Sequence, residues 1–240
     1  MWPGADPDAI VDAYRHPVSK PNVTGIHEGK EAQLSPEGEL QVQPMCAHMK
    51  KQGVRRLFCS QADRALIPTI EMATKHSLSM QADERFDEFL RPDWTIGREP
   101  DDPEVSEFRR RRIESFSPNC KPLKGEHGLL DSAMITSSGL QLLLDTAIEQ
   151  EEKHLGLLTH GLHLRRIFAW IMSRGDFDRF GWYFQDSYYV GGLENAAHLR
   201  FWYGHPFRNL SRRCWNVELG DNSYLPLELQ SFWRREWLAT

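Results

Sequence analysis

The sequence predicts an α/β protein, a three-layer α/β/α sandwich with a mainly parallel central sheet. Short apolar segments alternate with longer stretches of helical periodicity, the pattern of parallel strands joined by crossover helices that cover both faces. Three of the apolar segments also run directly into polar, chemically active residues, at Arg15-His16, at Ser60 to Arg64 and at His160-Gly161.

The first strand spans Ile10 to Tyr14 and leads into Arg15-His16-Pro17, where proline disfavours helix for the residue before it. Asp12 makes this strand less apolar than a central strand should be and predicts an irregular start. After a polar, turn-rich stretch, Ser35 reads as an N-cap with Pro36 at the first helical position, and the helix runs to Gln52 before Gly53 stops it. Val54 to Cys59 reads as the second strand. Pro68 is tolerable only in a first turn, so the next helix is expected to begin near Leu66 or Ile67 and to reach His76. Residues 77–130 carry Pro92, Pro100, Pro103, Pro118 and Pro122 and the basic run Arg109 to Arg112, and are expected to form a cap over the site. A helix follows from Thr136 to Glu152, then a buried strand at Leu155 to Thr159 and a helix from Leu164 to Met172. The aromatic final third holds a strand at Ala196 to Tyr203. Residues 1–240 read as one domain, a length at which a single core is sufficient.

Composition narrows the function. The chain is 40% hydrophobic and 26% charged, and no apolar run approaches the roughly 18 residues of a membrane helix. A net charge of -5 argues against general nucleic-acid binding, so any anion site must be built locally. The start, Met1-Trp2-Pro3-Gly4-Ala5-Asp6, lacks the basic and apolar regions of a secretory signal, and a cytoplasmic location is expected. Cys46, Cys59, Cys120 and Cys214 are widely spaced and read as reduced, structural thiols. His27, His48, His76, His127, His154, His163, His198 and His205 show no metal-ligand spacing.

In open α/β sheets, ligands gather outside the carboxyl ends of the strands. Arg15, His16, Arg64 and His160 all fall there. Two guanidinium groups and two imidazoles suit a tetrahedral dianion, because arginine offers paired donors and keeps its charge.

At these residues the sequence resembles the histidine phosphatase, or phosphoglycerate mutase-like, superfamily. Arg15-His16 is similar to the Arg-His of that family's opening signature, with Ser19 and Asn22 three and six residues on. Leu34-Ser35 with Gly38 and Gln41 resembles its next helix start. Cys59 to Ala65, followed by Thr69 and Ala73, resembles its second signature, and Leu157 to Gly161 its late strand ending in Ser-His-Gly. Leu193-Glu194-Asn195-Ala196 is similar to a later asparagine motif. Pro17 stands where that family has glycine, Thr159 where it has serine, and Gln61-Ala62-Asp63 where it often has proline followed by a basic residue.

The resemblance implies a phosphatase in which His16 accepts the phosphoryl group, Arg15, Arg64, His160, Asn22 and Ser19 bind it, and no metal or cofactor takes part. Arg85-Phe86-Asp87-Glu88 is similar to the segment that supplies the general acid, which designates Glu88, with Glu84 next. His163, three residues beyond His160, is a further candidate to line the site. The basic run Arg109 to Arg112 reads as a helix face paired with Glu104, Glu107 and Glu114, or as an extension of the pocket for a polyphosphorylated substrate. The implied partner is a small phosphorylated substrate or a phosphoprotein, with no nucleic acid and no membrane; oligomeric state is left open. A phosphoglycerate mutase and a catalytically weak phospho-ligand sensor are the alternatives.

Overall fold

The computed structural model describes residues 7–88, 92–115, 128–189, 195–204, 213–219 and 223–230. Cys120, His127, Leu193, Glu194 and His205 lie outside those residues, as do the side chains of Arg112 and Glu114.

Among the described residues, six strands form one sheet in the order β3-β2-β4-β1-β5-β6. They are β1 (Ala9–Arg15), β2 (Arg56–Cys59), β3 (Ser79–Ala82), β4 (His154–Thr159), β5 (His198–Gly204) and β6 (Cys214–Leu219). The first four run parallel, and β5 and β6 add an antiparallel edge. The helices are α1 (Lys20–Thr24), α2 (Pro36–Gln52), α3 (Asp63–His76), α4 (Pro103–Ser115), α5 (Leu129–Glu149), α6 (Gly161–Ser173) and α7 (Phe177–Tyr189).

The alternation of β1 sorts the core into two layers. Ala9, Val11 and Ala13 pack with Phe58, Leu155, Leu157, Leu199 and Phe201 against the apolar stripes of α5 and α6. Tyr14 faces the other way, with Leu57, Cys59 and Leu158, onto α2 and α3. Each fully buried side chain such as Phe58 or Leu157 contributes about 2 kcal/mol of transfer free energy. Phe180 and Phe184 of α7 stack at 5.9 Å and close a third cluster over Ala169 of α6.

Three expectations are corrected. Asp12 does not disturb β1: it is wholly buried in mid-strand, where Arg200 donates from Nε (2.9 Å) and Nη2 (3.0 Å) and His198 Nε2 lies at 2.7 Å. Those partners come from β5, so the strand tolerates a carboxylate because its neighbour neutralises it. Helix α3 begins at Asp63, so Pro68 lies inside it. The Ala62 carbonyl nucleates the helix by accepting from Ala65 and Leu66 N–H (both 2.8 Å), and Pro68 withholds only the bond to the Arg64 carbonyl, one turn in. The segment expected to be a cap opens with the edge strand β3, which pairs parallel to β2.

Among the described residues, no helix is long and apolar enough to cross a membrane. None of their His, Cys, Asp and Glu side chains cluster to hold a metal ion. Cys46, Cys59 and Cys214 are free thiols.

Candidate active site

Sheet register assembles the site. Arg15 lies opposite Thr159 and Cys59 opposite Leu158, so His16, His160 and Ser60 leave three adjacent strands at one edge. Connections from β1 and β2 cross the α2–α3 face while β4 continues into α6 on the other, which makes the β1/β4 boundary a topological switch point.

His16 is buried, and its Nδ1 lies 2.7 Å from the Pro17 carbonyl. A carbonyl only accepts, so Nδ1 carries the proton and the Nε2 lone pair is free. Burial pushes the ring well below the ordinary histidine range, and Arg64 and then Arg15 push it further, against the pull of the Pro17 bond. His160 is also fully buried, its ring centroid 5.1 Å from that of His16. It is lowered in the same direction by burial, then by Arg64, His16, His163 and Arg15. The two arginines therefore act on both imidazoles.

Local structure explains the positions. Arg15 lies over the start of α6, where a Cβ on Gly161 would stand 3.3 Å from its Nε. His160 is the N-cap of α6, placing it at the positive end of a helix. Arg64, in the first turn of α3, donates from Nη1 to the Gly29 carbonyl (3.0 Å). The loop after His16 is held by the start of α2. Val18 N–H donates to Gln41 Oε1 (2.9 Å), the Val18 carbonyl accepts from Ser35 N–H (3.0 Å), and a Cβ on Gly38 would stand 1.9 Å from that oxygen. The Ser35, Gly38 and Gln41 spacing read in the sequence is the spacing needed to clamp this loop.

Residues 13–190 match the histidine phosphatase superfamily, branch 1. The chain belongs to this superfamily. No curated protein sequence matches it. Among solved structures, a mycobacterial glucosyl-3-phosphoglycerate phosphatase in complex with VO3 superposes with a TM-score of 0.70 at 17% identity, over 90% of this chain and 100% of that one. YhfR of Bacillus stearothermophilus gives 0.70 at 17% identity, over 90% and 98%. The alpha-ribazole phosphatase from Shigella flexneri gives 0.66 at 13% identity, over 90% and 96%. At these identities the likeness is one of fold.

The remaining expected site residues of this histidine phosphatase-fold chain divide into groups. Glu88 lies in the field of Arg64: burial lowers that guanidinium's pKa, and Glu88 opposes this more than Asp87 or Asp63. Glu84 is exposed in a 3-10 turn. Asn22 Oδ1 accepts from Ser19 N–H (3.0 Å), Ser19 Oγ (2.7 Å) and Asn195 Nδ2 (2.8 Å). The Ser19 hydroxyl hydrogen is thus committed to Asn22, and in this arrangement Ser19 positions Asn22 instead of offering a donor of its own. Asp63 accepts from Gln33 Nε2 (2.9 Å). His163 is buried in the core, its Nδ1 2.9 Å from Arg166 Nη2 and its ring edge-on to Phe86. Arg109 donates to the Gly25 carbonyl (2.9 Å) and Arg110 pairs with Glu107 (2.8 Å), so both have local partners.

Sequence reasoning left Asp87, Lys30 and Ser60 out of the site. Asp87 Oδ1 accepts from Ser60 Oγ (2.8 Å) and Gln61 N–H (2.7 Å), and Oδ2 from Lys30 Nζ (2.6 Å). Two buried donors hold the backbone of this segment: Thr159 Oγ1 to the Phe86 carbonyl (2.5 Å) and Arg166 Nη2 to the Asp87 carbonyl (2.9 Å). The signal available in the sequence was Ser60 at a strand end, with nothing local to tie it to the acidic cluster 83–88.

Proposed function

We propose that the chain is a metal-independent phosphatase that hydrolyses a phosphomonoester through a phosphohistidine on His16. The observation that carries this reading is the His16 ring, whose Nδ1 hydrogen bond to Pro17 leaves Nε2 unprotonated beside Arg15, Arg64 and His160. Family membership and phosphatase neighbours support it. So does the oxyanion in one neighbour's complex and the inorganic phosphate in another of the same enzyme.

In the first step, His16 Nε2 attacks phosphorus in line as the ester P–O bond breaks, and Glu88 gives its proton to the leaving oxygen. Arg15 and Arg64 neutralise charge on the equatorial oxygens, with His160 and Asn22 completing the pocket. In the second step, water gives a proton to the Glu88 carboxylate and its oxygen displaces His16 from phosphorus. A small phosphorylated metabolite or a phosphoprotein fits the reading, selected by the cap within 77–130.

A panel of aryl phosphates, sugar phosphates, nucleotides, inositol phosphates and phosphopeptides, assayed with excess chelator, tests this. Hydrolysis by the wild type that His16→Ala reduces to background is the expected result. No turnover of any substrate across a broad pH range sinks the proposal, as does full activity in His16→Ala. Interconversion of the two monophosphoglycerates in place of hydrolysis would make the chain a mutase.

A further inference from the structure

Ser60 Oγ has three polar neighbours: His160 Nε2 at 2.7 Å, Asp87 Oδ1 at 2.8 Å and Ala62 N at 3.1 Å. The hydroxyl carries one hydrogen. The Ala62 amide can only donate, and the Asp87 carboxylate, whose other oxygen takes the Lys30 ammonium, accepts. The Ser60 hydrogen therefore points to Asp87, and His160 must donate from Nε2 to the Ser60 oxygen. In the neutral ring this leaves Nδ1 as a bare acceptor. That atom is buried with no hydrogen-bond partner among the described residues.

An unpaired acceptor in a buried site is destabilising and calls for a partner in another state of the protein. A phosphoryl dianion does not provide one, because its oxygens are acceptors too. Two acceptors in contact need a proton between them. The groups facing His160 are Arg64 from α3, Arg15 at the end of β1, the neutral rings of His16 just beyond β1 and His163 from α6, and Asp87 behind Ser60; burial and the charge of the two arginines hold the empty ring neutral. An oxyanion between the arginines offsets that charge and makes room for the proton.

We propose that Asp87, acting through Ser60, fixes His160 as a proton acceptor at Nδ1, so that the pocket takes up a phosphoryl group together with one proton. The species bound is a monoester monoanion sharing its proton with Nδ1, or equivalently a dianion against a protonated His160. This rests on the phosphate-pocket reading above and adds to it a linkage and a positioning role for Asp87. Above the second phosphate pKa, affinity for phosphate falls about tenfold per pH unit.

Inorganic phosphate binding by titration calorimetry, near pH 8 in two buffers of different ionisation enthalpy, counts the protons taken up. The wild type is expected to take up close to one proton per phosphate, with Kd rising about tenfold to near pH 9. Ser60→Ala frees the ring to carry its proton on Nδ1, and Asp87→Ala removes the carboxylate that takes the Ser60 hydrogen, so that hydrogen turns toward His160. Either variant, shown folded by its thermal melt, is expected to bind with little proton uptake and a nearly flat Kd over the same range. Proton-free binding by the wild type overturns the proposal. Full uptake persisting in a folded variant also overturns it, and assigns the proton to a group independent of Ser60, such as Glu88. Failure of the wild type to bind phosphate at all is a different result: it removes the phosphate pocket itself, and this proposal with it.

Discussion

His16 and Arg64 show how single side chains acquire roles from their immediate surroundings. An imidazole in water is half protonated near pH 6.5 and has no fixed tautomer. Here the Pro17 carbonyl fixes the proton on Nδ1, and burial with Arg64 and Arg15 keeps Nε2 bare. Glycine at position 17 would supply the same carbonyl, so the Pro17 departure from the family pattern leaves this contact intact. Arg64 combines a fixed geometry, through its bond to the Gly29 carbonyl, with influence on both histidines. Arg64→Ala is expected to lower kcat/KM by about 10²–10³-fold, the usual effect of losing one donor to a developing oxyanion. Steady-state kinetics on a substrate found in the panel checks this, and a loss under tenfold would remove Arg64 from the pocket. Lysine at this position should recover little, since it lacks the planar fork.

At the scale of elements, the strand ends were legible and the loops that meet them were not. A polar residue closing an apolar run marks a strand's end, and parallel strands put such ends on one edge, so Arg15, His16 and His160 could be placed from sequence. The α2 start was legible for the same kind of reason, since Ser35 with Pro36 is a local signal. Asp87 was not, because its partners Lys30 and Ser60 lie 57 and 27 residues away and residues 83–88 have no periodicity to place them. Asp12 misled for a similar reason: its neutralising Arg200 is 188 residues distant on β5. Strand β3 escaped because Ser79-Met80-Gln81-Ala82 is a short edge strand without a buried apolar face. The clamp between α2 and the His16 loop makes an element-scale prediction. Gly38→Ala would drive a Cβ into the Val18 carbonyl and is expected to cost about 2 kcal/mol while also reducing activity, because the loop carrying His16 must shift. Urea unfolding and kinetics on the same preparation check both parts; a stable, fully active variant would show that the loop is not held there.

For the whole molecule, the site carries a cost that pH reveals. His16, His160 and His163 are buried as neutral rings with pKa values well below the unfolded value, in each case chiefly through burial. Between the folded and unfolded pKa values the unfolded chain binds more protons, so stability increases with pH there and is lost as pH falls below about 6.5. Each such ring can contribute up to about 1.4 kcal/mol per pH unit. Urea midpoints are expected to be level from pH 7 to 8 and to drop clearly by about pH 5.5; equal midpoints would mean that these rings protonate without unfolding. The sheet tolerates this cost because two apolar layers, one on α5 and α6 and one on α2 and α3, hold β1 and β4 together beneath the site. The central claim is that this frame presents His16 as a phosphoryl acceptor. Rapid acid-free quenching of the enzyme with a ³²P-labelled substrate tests it most directly. An acid-labile, base-stable label on His16 during turnover, and none on His16→Ala, is the expected result; product forming at full rate with no labelled protein, or with the label on another residue, would show that His16 is not the acceptor.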